Sequence, residues 1–250
     1  MSIDPVGSAS GAAGQGTSGP AQVTSARWHG RDWLLVSGWL AVAALYVRAV
    51  AFTPVEAMQG PAQKILYVHA TTAFVALYLA FALMAVCSLL YLFLKDEKLD
   101  RLAESCAEVG LAFTTVVLIS GPLWGRPVWG AWWTWDARLT ATLFLWFIIA
   151  GYLLLRGAVE ERGMRARYSA VLGLLAALLV PFIHLSVYMF RTMHPMPIVL
   201  KASKPSMSPE MLVTFVAGFL AFTLLFAGLV RARYRYATLR DQVADREALR

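Results

Sequence analysis

The chain has 250 residues, of which 59% are hydrophobic and 15% are charged, and its mean hydropathy is +0.60. Soluble domains are about half apolar and about a quarter charged, so this composition excludes an ordinary soluble domain and indicates a membrane protein. The net charge of +7 does not predict a nucleic-acid partner, because the basic residues lie mainly between apolar runs, as topology signals do. Cys87 and Cys106 form no CxxC motif, so neither a redox pair nor a zinc site is predicted.

The chain begins with a polar stretch and continues with six apolar segments. Residues 1–26 are rich in Gly, Ser, Ala and Thr and contain no apolar h-region, so we predict a disordered tail and not a signal peptide. Each apolar segment is long enough for a membrane span of about 17–25 residues. The predicted fold is an all-α polytopic membrane bundle of six transmembrane helices, which occupies residues 27–235 and is followed by a cytoplasmic tail, 236–250. The six segments are 33–52, 65–94, 102–123, 139–155, 168–190 and 211–230.

Local signals predict where two of these helices end and begin. Gly121 and Pro122 are predicted to end the third helix, because proline lacks the backbone N–H that continues a helix. Ser208, Pro209 and Glu210 combine a capping residue, a proline at the first helical position and an acid in the first turn. This combination predicts the start of the sixth helix.

The distribution of lysine and arginine predicts the orientation. Fifteen of these residues lie in one set of segments, namely the N-terminal flank, the loops 95–101 and 156–167, and the C-terminal tail, whereas six lie in the opposite set. Loops that carry more positive charge stay in the cytoplasm. Both termini are therefore predicted to be cytoplasmic, with the loops 53–64, 124–138 and 191–208 on the outer side.

One stretch between the third and fourth segments concentrates the aromatic residues. Indole rings are large, flat and rigid, and each N–H needs an acceptor. Together they can form a platform for a flat, mostly apolar molecule, although tryptophan is also common in interfacial belts. Asp136 and Arg138 follow directly; Asp136 is predicted to cap the next helix or to pair with Arg138 or an indole N–H. The five tryptophans are Trp124, Trp129, Trp132, Trp133 and Trp135.

His69 and His184 lie in the outer parts of the second and fifth segments. Ionisable residues inside spans are rare and usually functional, although a single histidine can also be a packing residue. With a helical rise of about 1.5 Å per residue, each lies on the order of 10 Å inside the outer end of its helix. Because neutral imidazole is a common axial ligand of haem iron, the two histidines are predicted to bind a porphyrin between two helices. His194, in the outer loop, leaves this ligand assignment open.

Three arginines near the outer side are candidates for binding haem propionates. Arg191 follows His184 by seven residues, and Arg126 and Arg138 flank the tryptophan-rich stretch. Each of them can also serve as an interfacial anchor. For Arg126 the anchor is the favoured interpretation.

These motifs together resemble those of the WWD haem-handling family of cytochrome c maturation. The stretch that ends in WDARLT is similar to the family signature WGxxWxxWWxWDxRLT, and ILYVHA and PFIHLSV look like the segments that carry the family's haem histidines. The length and the six predicted spans resemble the CcmC (haem exporter protein C) type. The larger CcmF and CcsA types share the signature but have more spans and histidines. The resemblance covers residues 30–235.

The resemblance implies a role in the biogenesis of c-type cytochromes. Non-covalent, transiently held haem b would lie at the periplasmic face of the bacterial inner membrane, with His69 and His184 as axial ligands and the 124–138 loop supporting the porphyrin. The haem would then pass to the chaperone CcmE, which binds it covalently. The ABC transporter subunits CcmA and CcmB and the small membrane protein CcmD would complete the complex. Whether this chain promotes the covalent step, and so acts as an enzyme, stays open.

Three other functions compete with this interpretation. A bis-histidine membrane cytochrome b would use the same ligands for electron transfer and would hold its haem stably. A small-molecule transporter would show inverted repeats and broken helices near the membrane midplane, and no repeat is evident in the sequence. A scaffold protein would use its tryptophans only as an interfacial belt.

Overall fold

The computed structural model describes residues 32–199 and 201–250, so the predicted disordered tail lies outside the described residues. The described residues form six helices that are long and apolar enough to cross a membrane, and their only extended pairing is a single bridge between Glu56 and Gly60. The predicted all-α bundle of six spans is therefore confirmed. The helices are α1 (Trp33–Phe52), α2 (Pro61–Leu94), α3 (Glu97–Trp129), α4 (Ala137–Ala158), α5 (Arg162–Met189) and α6 (Pro209–Ala248).

Two helices begin at side-chain caps that the sequence predicts. The Asp136 carboxylate accepts hydrogen bonds from the backbone N–H groups of Arg138 and Leu139, at 3.1 and 3.0 Å, and so caps α4. The Ser208 side chain caps α6, and Pro209 occupies its first position. These caps satisfy N–H groups that have no partner within the helix.

The predicted end of α3 at Gly121 and Pro122 is wrong. The helix continues through Pro122 and Pro127 to Trp129. A proline removes one backbone hydrogen bond, but transmembrane helices tolerate this loss because neighbouring helices and side chains satisfy the freed groups. The helix ends instead at Gly130, whose φ of +78° is the left-handed conformation that glycine readily adopts. The first half of the tryptophan-rich stretch is therefore helical, and the loop before α4 is short.

Two helices are irregular near the residues of interest. In α2, residues Val75–Ala80 form a wider π-helical turn, a feature that often occurs at functional sites. In α5, the regular helix is interrupted at Leu178, three residues before Pro181. Since Pro181 has no N–H to donate to the carbonyl of Ala177, the interruption follows from the proline.

Close backbone approach joins α1 to α6. A Cβ atom placed on Gly38 would lie 2.6 Å from Leu225 Cα, and one placed on Gly228 would lie 2.7 Å from Leu35 Cα. Only glycine permits such an approach without a shift of one helix. Elsewhere the core is built from fully buried side chains of α2 and α4, including Phe81, Met84, Leu145, Ile149 and Tyr152.

Buried ion pairs connect three helices at the end of the bundle away from the tryptophans. The guanidinium group of Arg156 on α4 donates to both carboxylate oxygens of Asp100, at 2.6 and 2.8 Å, and to Glu104 on α3 at 2.9 Å. Arg240 on α6 donates to the two oxygens of Glu104 at 2.7 and 3.0 Å. The segment predicted as a tail after residue 235 is thus helical up to Ala248 and is bound to the bundle.

Replacing Glu104 should destabilise the bundle, because Arg156 and Arg240 lose a shared acceptor. Breaking a buried ion pair by removing one partner costs about 3–5 kcal/mol, and since Arg240 is partly exposed we expect Glu104→Ala to cost roughly 3 kcal/mol, measured by SDS titration of the detergent-solubilised protein. The control is Glu97→Ala. Glu97 is exposed in its pair with Arg101, so this substitution should lower the free energy of unfolding by at most about 1 kcal/mol. Equal losses in the two variants would contradict the structural role of Glu104.

Candidate functional site

A cavity lies at the end of the bundle where α3 meets the tryptophan-rich stretch. Its volume is about 1480 Å³ when the open mouth is included, and its walls come from all the helices except α1, and from the loops around 131–134 and 194–199. Most of the lining is apolar. The ionisable side chains in the lining are His69, Tyr78, Arg138, His184 and His194. Such a combination of apolar walls and a few polar groups is typical of ligand sites.

Four of the five predicted tryptophans line this cavity, namely Trp124, Trp129, Trp132 and Trp133. Trp135 does not line it, but its ring packs against that of Trp133 with the centroids 5.7 Å apart and the planes at 78°. Trp132 and Trp135 are largely exposed, at 58% and 77%. The structure therefore gathers the predicted platform around one cavity and leaves part of it accessible from outside.

Two indole N–H groups differ in whether they have a hydrogen-bond acceptor. Trp124 Nε1 donates to Gln59 Oε1 at 3.0 Å, so the loop between α1 and α2 holds this ring in place. Trp133 Nε1 is buried and has no hydrogen-bond acceptor among the described residues. A buried donor without an acceptor is costly, and the Trp133 ring itself lines the cavity.

His69 lies on α2 and faces α3. Its Nδ1 atom is 3.1 Å from Ser120 Oγ, and its ring meets that of Trp124 edge-on with the centroids 5.7 Å apart. A Cβ atom placed on Gly121 would lie 3.2 Å from His69 Cε1. A larger residue at 121 would therefore press on the imidazole, which packs directly against α3.

His184 lies on α5 and contacts the irregular part of α2. Its Nδ1 atom is 2.6 Å from the Tyr78 hydroxyl, which belongs to the π-helical turn. The rings of Tyr78 and Tyr188 both pack against the His184 ring, at centroid distances of 5.9 and 6.2 Å. The structure thus brings both predicted intramembrane histidines to one cavity.

His194 is the cavity residue whose role the sequence leaves open. It lies in the loop after α5, and its ring packs against Trp129 with the centroids 6.4 Å apart. Its Nδ1 atom is 3.1 Å from Arg138 Nη1 and 3.0 Å from the carbonyl oxygen of Pro195. Arginine can only donate and a carbonyl can only accept, so these two neighbours favour opposite tautomers of His194.

Asp136 connects the tryptophan loop to the loop that carries His194. The Thr192 hydroxyl donates to Asp136 Oδ2 at 2.7 Å, and the backbone N–H of His194 donates to Thr192 Oγ1 at 3.1 Å. The same carboxylate caps α4, whose residue Arg138 contacts His194 directly. No sequence signal linked these residues, because Asp136 and Thr192 are 56 positions apart.

The three candidate arginines are placed differently. Arg138 lines the cavity. Arg126 is exposed and donates to the carbonyl of Gly130, at the end of α3, so it supports the helix terminus. Arg191 is exposed and does not contribute to the cavity lining. Only Arg138 among these three is therefore positioned to contact a molecule inside the cavity.

Fold and site together define a polytopic helical membrane protein with a tryptophan-lined cavity that contains three histidines. The family model described as "CcmC: Heme exporter protein C" matches residues 17–249. The chain therefore belongs to the CcmC family, and the family predicted from the WWD signature is confirmed.

Several curated relatives carry the name heme exporter protein C. The protein from Haemophilus influenzae is 36% identical over 197 residues, which cover 78% of this chain and 79% of the relative. The protein from Bradyrhizobium diazoefficiens is 35% identical over 210 residues, with 82% and 80% covered. The protein from Escherichia coli K12 is 32% identical over 203 residues, with 79% and 81% covered.

Removing the Thr192 hydroxyl should loosen the loop that carries His194. In Thr192→Val the side chain keeps its shape, but the bonds to Asp136 and to the His194 N–H are lost. We expect faster amide hydrogen exchange in residues 190–199, measured by mass spectrometry, with an effect equivalent to about 1 kcal/mol or more in local stability. Thr192→Ser keeps the hydroxyl and serves as the control. Identical exchange in both variants would show that this bond does not hold the loop.

The protonation of His194 should occur well below neutral pH. Burial disfavours the charged ring, and together with the positive charge of Arg138 it lowers the pKa of His194 from 6.5 to about 4. Between these pH values the unfolded chain binds a proton that the folded protein does not. His194 should therefore lower the free energy of unfolding as the pH falls from about 6.5 to 4, and it should have no effect above about pH 6.5. NMR of ¹³C-histidine-labelled protein, assigned with His194→Gln, measures the midpoint; a value near 6.5 would contradict this burial.

Proposed function

We propose that this chain holds haem in the tryptophan-lined cavity and delivers it to the haem chaperone CcmE during the biogenesis of c-type cytochromes. The observation that supports this most is the convergence of three histidines and one arginine on a single apolar cavity walled by four indole rings. Membership of the CcmC family, whose model is described as heme exporter protein C, supports the same cargo.

The chemistry of the lining fits haem b, held non-covalently and transiently. A porphyrin is flat and largely apolar, and indole faces offer flat, apolar surfaces against which it can pack. Imidazole nitrogen is a common ligand of haem iron. Carboxylate groups on the cargo would match the guanidinium group of Arg138, which binds carboxylates well and lines the cavity. Arg191 lies outside the lining, so we assign it no direct contact in this proposal.

His69 is the first axial ligand in this proposal, and two residues compete for the second position. His184 is the residue predicted from the sequence. It lies on a regular helix with its Nδ1 atom at the Tyr78 hydroxyl, so a ligand bond through Nε2 would leave that contact intact.

His194 has support that the sequence did not provide. It lines the same cavity, packs against Trp129 and lies in a loop rather than on a helix. A ligand on a loop can be exchanged without moving a helix, which suits a protein that must release its cargo. If Nδ1–H of His194 donates to the Pro195 carbonyl, Nε2 keeps a lone pair for iron. Arg138 would then direct its donors to the carboxylates of the cargo instead of to His194.

Delivery requires that the cargo be reachable from outside the cavity. Trp132 and Trp135 are exposed beside the open mouth, and we propose that CcmE docks at this edge. In the same proposal CcmA, CcmB and CcmD complete the export complex, and the cavity faces the periplasm from the bacterial inner membrane.

The experiment that tests this function is purification in detergent, with and without co-expressed CcmE. Absorption spectra of the wild type are compared with those of His69→Ala, His184→Ala and His194→Ala, together with haem loading of CcmE. We expect a six-coordinate haem spectrum in the wild type and a change of coordination in His69→Ala and in one of the other two variants. Trp39→Phe, on the exposed face of α1, is the control for detergent handling.

Each outcome has a distinct meaning. Loss of six-coordination in His194→Ala but not in His184→Ala would assign the second ligand to His194, and the reverse result would assign it to His184. A colourless wild type that fails to load CcmE would contradict the proposed function. Haem that is stable, reversibly reduced and never transferred to CcmE would favour a bis-histidine cytochrome b.

A further inference from the structure

One face of α3 is shaped around the imidazole ring of His69. Val117, Ser120, Gly121 and Trp124 follow the i, i+3, i+4, i+7 spacing that places residues on one side of a helix. Val117 lines the same cavity as His69, Ser120 Oγ lies at the His69 Nδ1 atom, and Trp124 meets the His69 ring edge-on. Gly121 leaves the space that the Cε1 atom needs.

The hydrogen bonds of Ser120 determine where the proton of His69 lies. Ser120 Oγ is 2.6 Å from the carbonyl oxygen of Val116, and a carbonyl oxygen can only accept. A hydroxyl group has one proton, so Ser120 uses it for the Val116 carbonyl, or for the Val117 carbonyl at 3.4 Å, and can only accept at its contact with a ring nitrogen. That contact is His69 Nδ1, at 3.1 Å. Nδ1 must therefore carry the proton, and in the neutral ring Nε2 keeps its lone pair.

We infer that Ser120 is a positioning residue that fixes His69 in the Nδ1–H tautomer and thereby presents Nε2 as an iron ligand. This inference rests on the proposed function, because it assigns a role to a neighbour of the proposed ligand. Histidines that bind metals almost always donate their other N–H to an acceptor, which fixes the ring orientation and strengthens the ligand. Ser120 supplies that acceptor from a helix that is itself packed within the bundle.

The other two cavity histidines are not fixed in this way. The Tyr78 hydroxyl can donate to His184 Nδ1 or accept from it, because nothing in that contact decides the direction. His194 Nδ1 lies between a donor, Arg138, and an acceptor, Pro195. His69 is thus the one histidine of the three whose tautomer the structure determines. It is suited to be the permanent ligand, and the second ligand is the exchangeable one.

Three variants test this inference. Ser120→Ala removes the acceptor, Ser120→Thr keeps the hydroxyl, and Ser105→Ala is a matched control. Ser105 is buried on the same helix, and its hydroxyl makes the same type of bond, to the Arg101 carbonyl at 2.7 Å. Circular dichroism and gel filtration in detergent establish that each variant is folded.

The first measurement uses haem-free protein. The ¹⁵N chemical shifts of His69, assigned with His69→Gln, report which ring nitrogen carries the proton. We expect the Nδ1–H tautomer in the wild type, in Ser120→Thr and in Ser105→Ala, and a mixture of tautomers in Ser120→Ala. The Nε2–H tautomer in the wild type would overturn the inference whether or not the protein binds haem.

The second measurement uses haem-loaded protein. Loss of a hydrogen-bonding neighbour of a metal ligand typically weakens metal affinity about 10- to 100-fold. We expect Ser120→Ala to bind haem at least about tenfold more weakly than the wild type and with a higher reduction midpoint potential, because a weaker imidazole donor stabilises ferric iron less. Ser120→Thr should restore both values.

The two proposals fail in different ways. A wild type that binds no haem contradicts the proposed function, but the tautomer measurement still decides whether Ser120 controls His69. A wild type that binds haem while Ser120→Ala has the same affinity, potential and tautomer overturns the role of Ser120 and leaves the proposed function intact. Should Ser120→Ala not fold, Ser120→Cys, which replaces the hydroxyl with a weak acceptor of similar size, takes its place in both measurements.

Discussion

The need to satisfy polar groups within an apolar bundle determines much of this structure. In the hydrocarbon region of a membrane no water is present to hydrogen-bond a side chain or a freed backbone group, so each must find a partner inside the protein. Arg156 does so by donating to Asp100 and Glu104, and His69 does so through its hydrogen bond with Ser120. Several buried side-chain polar atoms of the described residues nevertheless have no partner, and Trp133 Nε1 is one of them. The Trp133 ring lies in the cavity wall.

The same requirement explains why two ends of the bundle differ. At the end away from the tryptophans, charges are buried in pairs, and the multiple bonds of Glu104 connect α3, α4 and α6 into a rigid unit. At the cavity end His194 contacts Arg138 through a single bond, and His69 and His184 each contact one hydroxyl group. Asp136 makes bonds in two places near the cavity: it caps α4, and it accepts a hydrogen bond from Thr192 in the loop that carries His194. The proposed binding and release of haem would use both the ion-paired frame and the single contacts at the cavity.

Sequence patterns predicted the fold well and the site in part. The apolar runs predicted all six helices, and Asp136 and Ser208 predicted the starts of α4 and α6, because capping is a local interaction. The end of α3 was mispredicted, since the tolerance of Pro122 depends on packing with neighbouring helices and not on local propensity. His69, His184 and Arg138 line one cavity with four of the tryptophans, whereas Arg191 lies outside the lining; their roles toward haem stay predictions. The contacts of Ser120 and Thr192 could not be predicted, because hydroxyl residues are common in helices and loops and their partners are distant in sequence.

By itself the sequence determined the class of protein, the number of spans and the family, since hydrophobic length and a long tryptophan motif are properties of consecutive residues. The tertiary structure alone decided which of these residues share a cavity. It brought His194 next to Arg138, which is 56 positions away in the sequence. It also packed His69 against one face of α3, a contact that the sequence does not indicate. The physical reason is that a ligand site depends on distances between side chains of different helices, and these distances follow from how the helices pack and not from the order of residues within any one of them.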